Sequence, residues 1–143
     1  MVHWRLAVHE MEPTPMNHSH ATPLALAAAL ALVALSGCTS DPFKGITPQV
    51  RGEATAIFAQ RCTPCHGTSG EGNGPASQGL TPKPRNFTDA KWQEQVTDGH
   101  IEQIVQYGGS AVGKSPAMPP NPDLMSKPEV VAALRAHLRS LKR

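Results

Sequence analysis

Beyond residue 50, apolar residues recur at the spacing of helix faces, and we find no strand-like alternation. The first set, at i, i+3, i+4 and i+8, comprises Ala54, Ile57, Phe58 and Cys62. The second set comprises Ile101, Ile104 and Val105. The third set comprises Val131, Leu134, Leu138 and Leu141. The pattern therefore predicts short helices that each bury one apolar face.

Two of these helices carry signals for their ends. Gly108 follows the second set and predicts a helix over Thr97 to Tyr107, because glycine commonly ends helices. Ahead of the third set, Ser126-Lys127-Pro128-Glu129 has the form of a capping box with proline in the first turn. We therefore expect the C-terminal helix to begin at this tetrapeptide.

A separate apolar run, Pro23 to Leu35, lies near the N-terminus. It is shorter than the roughly 17–25 residues of a spanning helix and has the length of a signal-peptide core. Leu35-Ser36-Gly37-Cys38 follows and resembles the lipobox of bacterial lipoproteins. We expect residues 1–37 to be a signal peptide and Cys38 to be lipidated; an ordinary secretory signal is the alternative.

Met1 is an unusual start for that signal peptide, because Glu10 and Glu12 outweigh Arg5 in the region where a signal peptide usually carries positive charge. Met16 is therefore an alternative start. Residues 38–50 would form a tether to one domain over residues 51–143, since 143 residues leave room for a single domain. Export would place that domain in an oxidising compartment.

Composition narrows the possible functions. The net charge of +2 is small and dispersed, which argues against a nucleic-acid partner. The 14 prolines and 12 glycines predict long loops. Aromatic residues make up only 4% of the chain, so a core built from side chains alone would be thin and another group could fill it.

That group is indicated by Cys62-Thr63-Pro64-Cys65-His66, a C-x-x-C-H haem attachment signature. Two thiols at this spacing can form thioethers with neighbouring vinyl groups of one haem, and the next residue can bind its iron. The motif predicts one covalent haem c, with His66 as an iron ligand. Structural zinc would need a further ligand, a thioredoxin-like pair would need a βαβ setting, and a plain disulfide would leave His66 unexplained.

The chain from Arg51 to Leu141 resembles class I monohaem c-type cytochromes of bacteria, with Phe58 where the family has an aromatic residue before the motif. The resemblance implies an all-α fold of three to five short helices and long loops around one haem. It also implies that the two terminal helices cross. His137 stands where the family usually has Tyr or Phe, and we expect it to be a partly exposed interface residue.

The resemblance also implies a methionine as the second axial ligand. Met118 lies in a proline-flanked loop, Ser115-Pro116-Ala117-Met118-Pro119-Pro120, just before the C-terminal helix, as in the family. Other candidates after the motif are Met125, His100 and His137, of which Met125 is expected to pack at the helix start. A thioether ligand would favour ferrous iron.

Three further residues are implied around the haem. The carbonyl of Pro75 would accept a hydrogen bond from Nδ1 of His66, since a Gly-Pro follows the motif at this distance in bacterial members. Arg85 and the Trp92 indole would bind the haem propionates. A solvated arginine and a merely packed tryptophan are the alternatives for these last two.

The function implied is one-electron transfer without catalysis, in the periplasm and lipid-anchored to a membrane. Partners would be redox proteins of an electron-transport chain, steered by Arg61, Lys83 and Lys114. The protein would act as a monomer or as a subunit of a larger oxidoreductase complex. A peroxidase or gas-binding protein with open iron is a further alternative, and it requires that Met118 does not bind the iron.

Overall fold

A computed structural model of the chain describes residues 41–143. These residues form helices joined by long loops and contain no β-strand, so the all-α prediction is confirmed. None of the helices in this part of the chain is long and apolar enough to cross a bilayer. The expected signal peptide, Cys38 and the start of the tether lie outside the described residues.

Helix α1 runs over Pro48–Ile57 and begins at Thr47, whose hydroxyl accepts a hydrogen bond from the amide of Val50. It continues through a wider π-helical turn, Phe58–Cys62, into the short helix α2, Thr63–His66. The first predicted apolar set is confirmed as inward-facing, with its first three members buried and Cys62 half-buried. The extra residue of the π turn changes the helical register directly before the cysteine motif.

Two helices follow the long loop after the motif. Helix α3, Ala90–Gln95, begins at Asp89, and helix α4, Asp98–Tyr107, begins at Thr97; each N-cap side chain accepts an amide hydrogen bond. Helix α4 ends at Gly108, whose positive φ of 77° suits glycine, as predicted. Its inner face is formed by Ile101 and Val105, which are buried.

Helix α5, Pro128–Ser140, packs across α1. Val131, Leu134 and Leu138 are buried as predicted, and Leu141 lies half-buried beyond the helix end. The rings of Phe58 and His137 meet between the two helices, with centroids 4.4 Å apart. The half-buried position of His137 agrees with the expectation of an interface residue.

The predicted capping box is wrong. Ser126 ends a 3-10 turn, Pro122–Ser126, and its hydroxyl donates to the Asp123 carbonyl at 3.3 Å instead of capping the helix. The N-cap position is taken by Lys127, which makes no side-chain cap bond. The cause is that the tight turn before the helix uses the serine hydroxyl for its own backbone.

Candidate functional site

A cavity of about 1030 Å³ lies between the helices and loops and opens to the surface. This volume is slightly above the roughly 300–1,000 Å³ typical of cofactor and ligand pockets. The motif residues Cys62, Cys65 and His66 line one part of its wall. Other parts are formed by the loop around residues 82–87, helix α4 and the loop at residues 113–119.

The two motif cysteines are half-buried and are not joined by a disulfide. Burial raises the pKa of the Cys62 thiol to about 11, although the nearby Arg61 guanidinium acts to lower it. A thiol held protonated at neutral pH is unlike the activated thiolates of disulfide oxidoreductases. The setting therefore does not favour the thioredoxin-like alternative.

His66 is buried, with 8% of its surface exposed. Its Nδ1 lies 3.0 Å from the carbonyl oxygen of Arg85. Burial lowers the pKa of the His66 imidazole, opposed by this bond to the Arg85 carbonyl, so the ring is neutral near pH 7. Because a carbonyl can only accept, Nδ1 carries the proton and Nε2 keeps the lone pair that a metal ligand needs.

The prediction for Pro75 is not met, because Arg85 supplies the carbonyl next to Nδ1. Pro75 is exposed and begins a 3-10 turn, Pro75–Ser77, away from the cavity wall. The preceding Gly74 packs against the end of α2, where its amide donates to the Cys65 carbonyl at 3.1 Å. A Cβ at Gly74 would collide with the carbonyl of Pro64, so the Gly-Pro step packs on the helix backbone.

The sequence pattern did not predict the contact of Phe87 with His66, on which it stacks. Their ring centroids are 4.4 Å apart and their planes differ by 16°. Phe87 is 6% exposed and lies two residues after Arg85 in the same segment. The available signal was a lone aromatic residue within Lys83-Pro84-Arg85-Asn86-Phe87-Thr88, and nothing local relates it to His66.

Arg85 and Trp92 both line the cavity, as predicted for residues that meet the haem. The Arg85 guanidinium lies 5.7 Å from the centre of the Trp92 ring and 3.7 Å from the carboxylate of Asp89. The structure thus brings a cation and an indole together at one part of the wall. Their binding to propionates stays a prediction.

Met118 lies on the loop between α4 and α5 and lines the same cavity as the motif. Its carbonyl accepts a hydrogen bond from the Gly109 amide at 3.0 Å, and its amide donates to the Ser115 carbonyl at 3.2 Å. The loop is also packed tightly, since a Cβ at Gly108 would approach the Met118 carbonyl oxygen within 2.9 Å. Hydrogen bonds at both its amide and its carbonyl therefore fix the backbone of Met118 at the cavity wall.

The other ligand candidates lie in different settings. His100 lines the cavity from α4 and is half-buried. Met125 is 47% exposed and is absent from the cavity wall, so the expectation that it packs at the helix start is wrong. His137 is also absent from the wall and contacts Phe58. Of the two methionine candidates, Met118 lines the cavity and Met125 does not.

These residues fit a covalently attached haem. Two unpaired thiols and a neutral imidazole come from adjacent turns, and Met118 lines the same cavity. The cavity wall is otherwise mainly apolar, which suits a flat macrocycle. The apolar part includes Ile101, Ile104, Val105, Phe87, Trp92 and Leu138.

Comparisons with known proteins give two findings. A family model described as cytochrome c matches residues 52–142. Among solved structures, a chain titled KustC0563 c-type cytochrome is 28% identical; the match covers 63% of this chain and 98% of that one, with a TM-score of 0.46. No curated protein matches the chain.

Proposed function

Because the chain belongs to the cytochrome c family, we propose that it is a lipid-anchored periplasmic one-electron carrier with His66 and Met118 as iron ligands. The family binds covalent haem c, and Cys62, Cys65 and His66 fit its attachment. When bound, this group supplies reversible one-electron exchange at iron. Membership of the family favours electron transfer over catalysis.

The observation that carries the proposal is the shared cavity. The attachment motif and Met118 come from segments about 50 residues apart, yet both line one cavity of about 1030 Å³. His66 is neutral there and retains the lone pair of Nε2. With His66 and Met118 both holding the iron, no position would remain open for oxygen or substrate.

The charges at the cavity support exchange with acidic partners. Among the described residues, four charged side chains line the cavity, and all are basic: Arg61, Lys83, Arg85 and Lys114. Arg85, together with Trp92, would take the propionates, while the others would orient a redox partner at the cavity mouth. Such complexes are small and short-lived, as a mobile carrier requires.

The ligand assignment is tested by replacing each methionine separately in protein matured by a haem-attachment system. Met118→Ala should lower the reduction potential and allow the ferrous protein to bind carbon monoxide, because a soft ligand is lost. Met125→Ala is the matched control, since Met125 is exposed and away from the cavity, and it should change neither property. An unchanged Met118→Ala protein would assign the ligand elsewhere, and carbon monoxide binding by the wild type would favour the open-iron alternative.

The membrane anchor is tested independently of the haem. Cys38→Ser removes the thiol that would carry the lipid, so the protein should lose the lipid mass that mass spectrometry finds on the membrane-bound wild type. Its absorption spectrum should stay that of the wild type. A protein that is already soluble without the substitution would contradict the anchor and leave the electron-carrier proposal intact.

A further inference from the structure

We propose that Phe87 is a positioning residue for the His66 imidazole, and that its stacking sets the ring plane and helps set the reduction potential. This inference rests on the proposed function, in which His66 binds the iron. It concerns the flat face of the imidazole, on which Phe87 stacks, and not the Nε2 atom that would bind the iron. The attachment motif alone does not indicate this role of Phe87.

The geometry gives His66 two different constraints. The Arg85 carbonyl, 3.0 Å from Nδ1, fixes one edge of the ring. That bond alone leaves the ring able to turn about the line from Nδ1 to the oxygen. The near-parallel Phe87 ring, with centroids 4.4 Å apart, removes this remaining rotation. Together the two contacts define both the direction and the plane of the imidazole.

Phe87 is itself held firmly at its backbone. Its amide donates to the Gly70 carbonyl at 2.7 Å, and its carbonyl accepts from the Gln93 side-chain amide at 2.7 Å. The same Gln93 amide donates to the Leu138 carbonyl at 2.8 Å, and its oxygen accepts from Arg139 at 3.0 Å. These bonds fix the backbone that carries the ring, and the burial of Phe87 leaves the ring little room to move away from His66.

The stack also controls the polarity around the imidazole. Phe87 covers the face of a ring that is only 8% exposed, and so keeps water from it. Oxidised iron carries one more positive charge than reduced iron, and apolar surroundings disfavour that extra charge. Covering His66 with Phe87 should therefore raise the reduction potential, and opening this face should lower it.

The test compares Phe87→Leu with Phe58→Leu in haem-loaded protein. Both phenylalanines are buried, but Phe58 packs on His137 and does not line the cavity. Phe87→Leu should lower the reduction potential and change the spread of g values in the ferric electron paramagnetic resonance spectrum, which reports ligand orientation. Phe58→Leu should leave both unchanged, although it loses a similar amount of buried surface. Equal effects of the two variants, or none from Phe87→Leu, would overturn the inference.

A measurement on the wild type covers the case in which Phe87→Leu fails to mature. Proton NMR of the reduced, diamagnetic protein should show nuclear Overhauser contacts between the Phe87 and His66 rings. Their absence in a protein with a normal haem spectrum would overturn this inference alone. A wild-type protein that carries no haem would overturn the proposed function and, with it, the role of Phe87.

Discussion

At the scale of single residues, His137 lies on α5 at the contact with Phe58, and its burial there reduces the stability of the fold. Its Nε2 is buried and, among the described residues, has no hydrogen-bond partner. Burial, followed by the positive charge of Arg51, lowers the pKa of His137 below its ordinary value of 6.5. A polar nitrogen buried in this way costs about 1–3 kcal/mol.

His137 should therefore make the protein less stable in acid. The unfolded chain takes up the proton first, so stability is lost as pH falls from about 6.5 toward the lower folded pKa. His137→Phe should raise the free energy of unfolding by about 1 kcal/mol at pH 7, and by more at pH 5. Denaturant titrations at both pH values check this, and the wild-type comparison cancels any contribution from His66. Parallel pH profiles for the two proteins would contradict it.

Gly72 shows how one backbone position constrains the segment that contacts His66. Its φ is +77°, and a Cβ there would collide with the Pro84 carbonyl, directly before the segment that presents Arg85 to His66. Gly72→Ala should cost about 1–3 kcal/mol of stability, because both the conformation and the contact oppose a side chain. Gly52→Ala is the control: Gly52 lies inside α1 with open space around it, so alanine should stabilise by up to about 1 kcal/mol. Unfolding midpoints that fall equally for both would contradict this account.

At the scale of elements, Arg139 joins α5 to α3 and α4. Its guanidinium donates to the carbonyls of Gln93 and Val96, at 2.6 and 2.7 Å, and to the carboxylate of Asp98 at 2.7 Å. Only 23% of its side chain is exposed, unlike the open pair of Lys142 with Glu94. The planar guanidinium can satisfy several acceptors at once, which a lysine ammonium cannot do in the same geometry.

Arg139→Ala should therefore reduce the free energy of unfolding by about 2–4 kcal/mol, since it leaves partly buried carbonyls without donors. Lys142→Ala, near the same end of the chain, should cost less than about 1 kcal/mol, because exposed ion pairs contribute little. Guanidinium chloride titrations of both variants provide the comparison. Similar losses for the two would show that the guanidinium bonds do not hold these helices together.

The elements also show what the sequence could predict. The stripe of Val131, Leu134 and Leu138, and the helix ending at Gly108, were predictable because periodicity and end signals are local. The capping box failed at Ser126, although its letters fit, because the preceding turn uses the same hydroxyl. Local patterns identify a helix more reliably than they identify which side chain caps it.

At the scale of the whole molecule, the attachment motif was predictable, and so were Arg85, Trp92 and Met118 as residues near it, but the contacts that fix the His66 ring were not. Cys62, Cys65 and His66 are contiguous, so their chemistry can be inferred from spacing alone. The carbonyl beside His66 comes from Arg85, 19 residues away, whereas the nearer Pro75 begins a 3-10 turn and does not line the cavity. Which loop returns over the imidazole depends on Phe87, Gln93 and the packing of α5, and none of these leaves a signal next to the motif.

The distribution of charge over the whole molecule affects how it meets a redox partner. Within the described residues, the charged groups on the cavity wall are all basic, but they differ in how far they are already engaged. Arg61 is paired with Asp123 at 2.9 Å, Arg85 lies 3.7 Å from Asp89, and the Lys83 ammonium donates to a backbone carbonyl. Lys114 is exposed on the loop that also carries Met118. We therefore expect Lys114 to dominate attraction of an anion to the cavity mouth.

Lys114→Glu should slow oxidation of the ferrous protein by hexacyanoferrate(III) several-fold at about 10 mM ionic strength, because the anionic oxidant then meets a negative charge at the mouth. The difference should largely vanish near 1 M salt, where the screening length falls to about 3 Å. Lys44→Glu changes the net charge equally but lies away from the cavity wall, so it should have a much smaller effect. Stopped-flow rates over a salt series measure both variants. If the two slow the reaction alike, net charge rather than the cavity mouth controls the encounter, and electron exchange need not occur at this face.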